Sequence, residues 1–191
     1  AWYNTGLIYS EQGNYKKSIE CYDKAGSDAD AWNDKGVAYY NLKNYKKAIE
    51  CYEVAIEINP EFARPWNNKG ILYDKSENYK KAIECYEVAT KIDDDDYIAW
   101  RNMGLAYKKQ GNYKKAIECY DKAIESNAED ENNWISKGLA NYALKNYDEA
   151  ILCYHEVNEI IDPKNSTSWF NTGLAYENLK NHKKAIECYD K

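Results

Sequence analysis

The chain is 191 residues long and carries 26 basic against 32 acidic side chains, a formal net charge of -6. That balance excludes overall attraction to nucleic acid or to an anionic membrane. Mean hydropathy is low, at -0.88, yet 15% of the residues are aromatic, which excludes a disordered chain, and no stretch nears the ~18 apolar residues of a membrane span or shows a signal-peptide pattern.

Trp2, Gly6 and Tyr9 open the chain at i, i+4 and i+7, the spacing of one helix face. The triplet returns as Trp32-Gly36-Tyr39, Trp66-Gly70-Tyr73, Trp100-Gly104-Tyr107 and Trp169-Gly173-Tyr176. In the remaining copy Trp134 and Gly138 are followed by Asn141 in the Tyr slot. Trp32, Trp66, Trp100 and Trp134 are 34 residues apart, with Trp2 lying 30 before and Trp169 35 after. One supersecondary unit is therefore written six times.

Within the second copy, Asn41-Leu42-Lys43-Asn44 interrupts the first helix, and Asn44 is placed to cap a second. Tyr45, Ala48, Ile49, Tyr52, Ala55 and Ile56 then recur at helical spacing until Asn59-Pro60 ends the run. Gly36 and Ala48 are small where two helices must approach closely. Each repeat is thus predicted to be a helical hairpin, about twelve helices in all. A lone hairpin buries too little to offset its ordering entropy, so stacking that shelters the tryptophans and tyrosines is required.

Residues 1–191 are expected to form a single array with repeats at about 1–28, 29–62, 63–96, 97–130, 131–165 and 166–191. Irregularities fall at Gly26-Ser27-Asp28, which should end a second helix one turn early, and near Asn158, where repeat five gains a residue. Asp94 and Ala128 stand in the Pro slot. The chain opens without Met and stops at Lys191 partway through repeat six. That reads as a piece of a longer array, whose open C-terminal face is expected to pack on another molecule.

Cys21, Cys51, Cys85, Cys119, Cys153 and Cys188 occupy one position of each repeat. Equivalent positions of stacked hairpins lie about 8–10 Å apart, beyond the ~7 Å between Cα atoms that a disulfide spans. They are expected to be free, buried thiols in a reducing cytoplasm, and the same geometry argues against a metal.

No catalytic constellation, cofactor motif or phosphate loop is present. His155 and His182 are far apart, and His182 stands where Tyr45 and Tyr79 do, so a packing role is expected. The Asp93-Asp94-Asp95-Asp96 run lacks the spaced ligands of a calcium loop and reads as a solvated turn. The Lys-Lys pairs from Lys16-Lys17 to Lys183-Lys184 have a Glu three or four residues on and read as a solvated edge.

The pattern Trp-x3-Gly-x2-Tyr, then Ala-x3-Tyr-x2-Ala, then Pro, resembles the tetratricopeptide repeat over essentially the whole chain. The family's usual Leu before the Gly is replaced by Thr5, Lys35, Lys69, Met103, Lys137 and Thr172; such a Lys would lay its stem on apolar surface and keep its charge in water. The resemblance implies an all-α, right-handed superhelical solenoid. It also implies a non-enzymatic protein-interaction scaffold whose first helices line a concave groove for a peptide or partner helix.

Groove candidates are Arg64, Asn67, Asn68, Ile71, Arg101, Asn102, Leu105, Lys108, Ile135, Leu139, Tyr142 and Phe170. They are polar and partly basic in the middle and apolar toward the C-terminal end, which suits a ligand with an acidic and an apolar part. The aliphatic members are either groove lining or core. Relatives that clamp a C-terminal carboxylate carry an Asn where this chain has Leu7, Val37, Ile71, Leu105, Leu139 and Leu174, so that clamp is missing. The alternative is a structural rod that self-assembles end to end through its exposed terminal repeat.

Overall fold

A computed structural model describes every residue, 1–191, and it is helical without a strand. The helices are α1 (Trp2–Glu11), α2 (Tyr15–Ala25), α3 (Ala29–Asn41), α4 (Tyr45–Ile58), α5 (Ala63–Lys75), α6 (Tyr79–Ile92), α7 (Tyr97–Lys109), α8 (Tyr113–Ser126), α9 (Glu131–Ala143), α10 (Tyr147–His155), α11 (Ser166–Asn178) and α12 (His182–Tyr189). They group into two compact units, residues 1–94 and 95–191. Each unit is a stack of three helical hairpins, the all-α solenoid class expected from the periodicity. In each unit the first helices touch their successors, α1–α3–α5 and α7–α9–α11, whereas the second helices α2, α4, α8 and α10 each touch the first helices on either side. The first helices therefore form the more closely packed, inner side of each stack.

The local signals act as their chemistry requires. Asn14, Asn44, Asn78, Asn112 and Asn181 each accept from the backbone N–H three residues on, capping α2, α4, α6, α8 and α12. The turn before each cap is left-handed: Gly13, Lys43, Glu77, Gly111, Lys145 and Lys180 all have φ between 59° and 79°. That conformation lets the Lys43 and Asn44 N–H groups reach the Tyr40 and Tyr39 carbonyls at 2.8 and 2.9 Å. Asp96 accepts from the N–H groups of Ile98 and Ala99, so the acidic run ends as the cap of α7. Gly26, at φ 86°, stops α2 after eleven residues where α4, α6 and α8 run fourteen.

The hairpins close on tyrosine rather than tryptophan. Tyr52, Tyr86, Tyr120 and Tyr154 are at most 2% exposed, each ring packed against the glycine of the facing first helix. A methyl on Gly36 would stand 2.7 Å from Tyr52 Cδ1, and one on Gly138 2.8 Å from Tyr154 Cζ. The tryptophans are only half-buried, and Trp2 is exposed. Trp66, Trp134 and Trp169 use their indole N–H to hold the carbonyls of Pro60, Ala128 and Pro163, pinning the turn before their own helix.

Successive hairpins are joined by the residue before the glycine. Lys35, Lys69 and Lys137 lie over the rings of Trp32, Trp66 and Trp134. Their ammoniums pair with Asp23, Glu53 and Asp121 of the preceding second helix. The charge expected in water is therefore held by an acid of the neighbouring repeat. At the last junction Thr172 takes the Lys slot and His155 the acid slot, and Asn158 donates to Thr172 Oγ1 at 3.0 Å instead. Asn158 lies in a π-helical turn, Glu156–Ile161, that continues α10 and absorbs the extra residue. Its signature is the Asp162 N–H reaching back five residues to the Val157 carbonyl at 2.8 Å.

The lysine edge has partners the sequence did not suggest. Lys17, Lys47, Lys81, Lys115 and Lys184 each lie 5.0–5.4 Å from the ring centre of Tyr9, Tyr39, Tyr73, Tyr107 or Tyr176 on the facing helix. His182, expected to pack, is exposed at the start of α12. All six cysteines are free and buried, and burial pushes the thiols of Cys51, Cys85 and Cys153 up to about 11. No helix is long and apolar enough to cross a membrane.

Candidate functional site

In the first unit the first-helix face is a polar ladder that the stacking itself builds. Equivalent positions of neighbouring repeats meet, so side chains about one repeat apart bond to one another. The Tyr3 hydroxyl donates to Asp34 at 2.8 Å, and the Asn33 amide to the other Asp34 oxygen at 3.0 Å. Asn68 donates to Asn33 at 2.9 Å, and Arg64 pairs with Asp30. Burial, then the Asp34 hydrogen bond and charge, raise the Tyr3 pKa above the usual phenol value. Of the candidates here, Arg64 is exposed and pairs at the surface, where such a pair contributes ~0–1 kcal/mol. Asn68 belongs to the ladder, Asn67 is buried and Ile71 is half-buried.

In the second unit the same face changes character along α7, α9 and α11. Arg101 pairs with Asp130 and reaches the Asn133 oxygen. Asn133 is fully buried and donates to the Ala123 and Asn127 carbonyls, closing the end of α8. Burial opposes ionisation of Asp130, but hydrogen bonds from Asn132 and the Arg101 charge outweigh it and hold its pKa below the usual value. Asn102 is half-buried. Leu105 is half-buried and packs on the core cluster of Ala116, Tyr120 and Ala140, so this candidate belongs partly to the core. Lys108 is half-buried, and burial first, then the like charge of Lys109, lowers its pKa.

Ile135, Leu139 and Tyr142 lie half-buried along α9. Tyr142 is fixed: its ring sits edge-on to Tyr147 at 5.3 Å, and its hydroxyl accepts from Asn178 of α11 at 2.8 Å. Phe170 on α11 is 55% exposed, its ring 5.9 Å from that of Tyr189. The candidates thus sort into two arginines held by acids, amides of the ladder and core, a half-buried Lys108 and an aliphatic–aromatic strip. The partners Asp30, Asp34, Asp130, Asn133 and Asn178 escaped the sequence argument. The readable signal was complementary residues about one repeat apart, such as Arg64 and Asp30.

No group of three or more His, Cys, Asp or Glu side chains is placed to hold a metal. The buried hydroxyl oxygens of Tyr120 and Tyr154 have no hydrogen-bond partner within the chain, which suits tyrosines retained for ring volume.

Comparison with known proteins supplies the kinship. Models of the tetratricopeptide repeat match residues 1–25, 29–62 and 97–130, and further models of that repeat match 51–84, 72–111 and 166–191. No curated protein matches in sequence. Among solved structures, Pseudomonas aeruginosa PilF is 20% identical, with 98% of this chain and 86% of that one covered and a TM-score of 0.83. YrrB, described as a tetratricopeptide protein with an unusual peptide-binding site, is 24% identical over 92% and 89% at 0.74. MamA is 21% identical over 85% and 88% at 0.78. At these identities the structures establish the fold alone. The chain belongs to the tetratricopeptide repeat family, whose members serve in general as non-enzymatic protein-interaction scaffolds.

Proposed function

We propose that this chain is a non-enzymatic interaction scaffold of six repeats that holds a peptide or partner helix against the first-helix face of residues 95–191. The observation that carries the reading is Phe170, 55% exposed in the same row as Ile135, Leu139 and Tyr142. An exposed apolar strip bordered by charge marks a binding surface. Lys108 favours an acidic residue in the ligand, because an anion beside it restores part of the stabilisation that burial removed. Arg101 is less suited to that role, since Asp130 already pairs with it. YrrB, described as having a peptide-binding site, is in keeping with a peptide ligand. In residues 1–94, Arg64 and Asn68 belong to a separate polar patch with Ile71 beside it, while Asn67 lies buried beneath. The net charge of -6 disfavours nucleic acid and membrane as partners, and six buried free thiols suit a reducing cytoplasm.

The test is selection of a displayed peptide library on the intact chain, followed by titration of the selected peptides. Apolar peptides with an acidic residue are expected, with affinity at least ~10-fold weaker for Phe170→Asp. Selected peptides that bind Phe170→Asp as tightly as the parent would remove the site.

A second reading rests on the other side of the same residue. Phe170, Trp169, Cys188 and Tyr189 border an open cavity of about 550 Å³, and Ile186 nearby in sequence is 60% exposed. A second copy seated there would give end-to-end assembly. Light scattering across a concentration series distinguishes the two, since only assembly raises the mass with concentration and only assembly is lost in Ile186→Lys with Tyr189→Lys.

A further inference from the structure

The fifth repeat breaks the internal pattern of the chain at several positions, and the fold gathers the breaks in one place on the second-helix side of residues 95–191. Where other second helices begin with Lys-Lys, α10 has Asp148-Glu149. Where the others carry Glu20, Glu50, Glu84, Glu118 or Glu187, it carries Leu152, which is 67% exposed. Where the other first helices carry Tyr, α9 has Asn141, whose amide turns back to its own helix and donates to the Lys137 carbonyl at 3.1 Å. Asn141, Glu149 and Leu152 all line one cavity of about 470 Å³.

The physical effect follows from what the ordinary repeat puts there. In repeat four Tyr107 fills the slot and the Lys115 ammonium lies over its ring at 5.1 Å. Repeat five lacks both parts of that plug: Asn141 is too short, and a carboxylate at position 149 is repelled by a ring face. What remains is an apolar floor of Ile117 and Trp134 with Leu152 at the edge, bordered by Glu149 and Glu156. His155 completes the wall, in the position where earlier repeats hold an acid. The cavity's single lysine, Lys137, is paired with Asp121 at 2.6 Å, so its charge does not offset the two glutamates.

We infer that this cavity is a docking site for a basic amphipathic segment of a partner protein, separate from the first-helix face. An aliphatic side chain of the segment enters between Leu152 and Trp134, and its lysines or arginines face Glu149, Glu156 and Asp148. The apolar floor supplies affinity and the acidic rim supplies the choice of a basic partner.

The experiment uses the intact chain and a fluorescein-labelled synthetic peptide of leucine and lysine patterned as an amphipathic helix, read by anisotropy. A control peptide has glutamate in place of lysine. Leu152→Glu and the pair Asp148→Lys with Glu149→Lys, which restore the chain's own pattern at exposed positions, are each expected to weaken binding at least ~10-fold. Asn141→Tyr refills the slot and should act in the same direction. Glu57→Lys with Glu61→Lys, the same charge change at exposed sites in residues 1–94, should alter affinity less than ~2-fold. The inference is overturned if the parent chain does not bind the lysine peptide in preference to the glutamate one. It is equally overturned if Leu152→Glu binds unchanged, or if both charge pairs weaken binding alike, which would mark general attraction to an acidic protein. None of these outcomes bears on Phe170, which lines no part of this cavity.

Discussion

Gly36→Ala sets two known effects against each other inside one helix. Alanine raises helix propensity by ~1 kcal/mol over glycine, so on propensity alone the variant should be the more stable protein. The new methyl, however, stands 2.7 Å from Tyr52 Cδ1, whereas carbon atoms rest about 3.5–4.0 Å apart. Tyr52 is 2% exposed and cannot swing away, so the ring or the helix must give by ~1 Å, at the ~1–3 kcal/mol typical of overpacking. The net expectation is a loss of ~0–2 kcal/mol, measured by urea unfolding with far-ultraviolet circular dichroism. A double-mutant cycle isolates the cause. With Tyr52→Leu in place the crowding ring is gone, and the same Gly36→Ala change should be neutral or stabilising by up to ~1 kcal/mol. Gly173→Ala provides the contrast within the chain: its methyl would meet Tyr189 Cδ1 at 2.7 Å, but Tyr189 is 42% exposed and free to move outward. That variant should stay within ~0.5 kcal/mol of the parent. A Gly36→Ala protein more stable than the parent would refute the closure of the hairpin by Tyr52.

Lys43, Glu77, Lys145 and Lys180 hold left-handed backbone that glycine occupies at Gly13 and Gly111. Lys43→Gly should therefore stabilise by ~0.5–1 kcal/mol, the αL penalty less glycine's greater unfolded entropy, visible as a higher melting temperature. Thr172→Val removes both the acceptor for Asn158 and the donor to the Ser168 carbonyl, so a loss of ~1–3 kcal/mol is expected in the same unfolding assay. Alkaline pH should unfold the chain progressively. Burial raises the thiols of Cys51, Cys85 and Cys153 from 9.0 to about 11. Their contribution is thus whole below pH 9, where both states stay protonated, and is lost as pH rises toward 11, at up to ~2–3 kcal/mol per thiol. A melting temperature unchanged between pH 8 and 10.5 would contradict it.

The hairpins were legible because their signals are local: helical spacing from Tyr45 to Ile56, the Asn44 cap and the Asn59-Pro60 stop all act within a few residues. Position in the core was less legible. Trp32 outweighs Tyr52 in area, yet its slot lies at the junction between hairpins, where Lys35 covers one face, while Tyr52 faces a glycine that admits it fully. Arg64 and Arg101 looked like open cations because their acids, Asp30 and Asp130, are a repeat away in the chain and adjacent only after stacking. The apolar candidates divide for the same reason. Leu105 has a neighbouring hairpin to pack on, whereas Phe170 is left in solvent.

The wide turn at Glu156–Ile161 bears on how such a molecule tolerates errors of copying. One additional amino acid in a regular helix rotates every later position by ~100°, which would turn the mating surface of the hairpin away from its successor. Because the surplus is looped into a single broadened coil, Trp169 and Gly173 still arrive in phase, one residue late in the gene and on time in space. Length in this architecture is thus a local matter, since the residue gained at the end of α10 is absorbed before α11 begins.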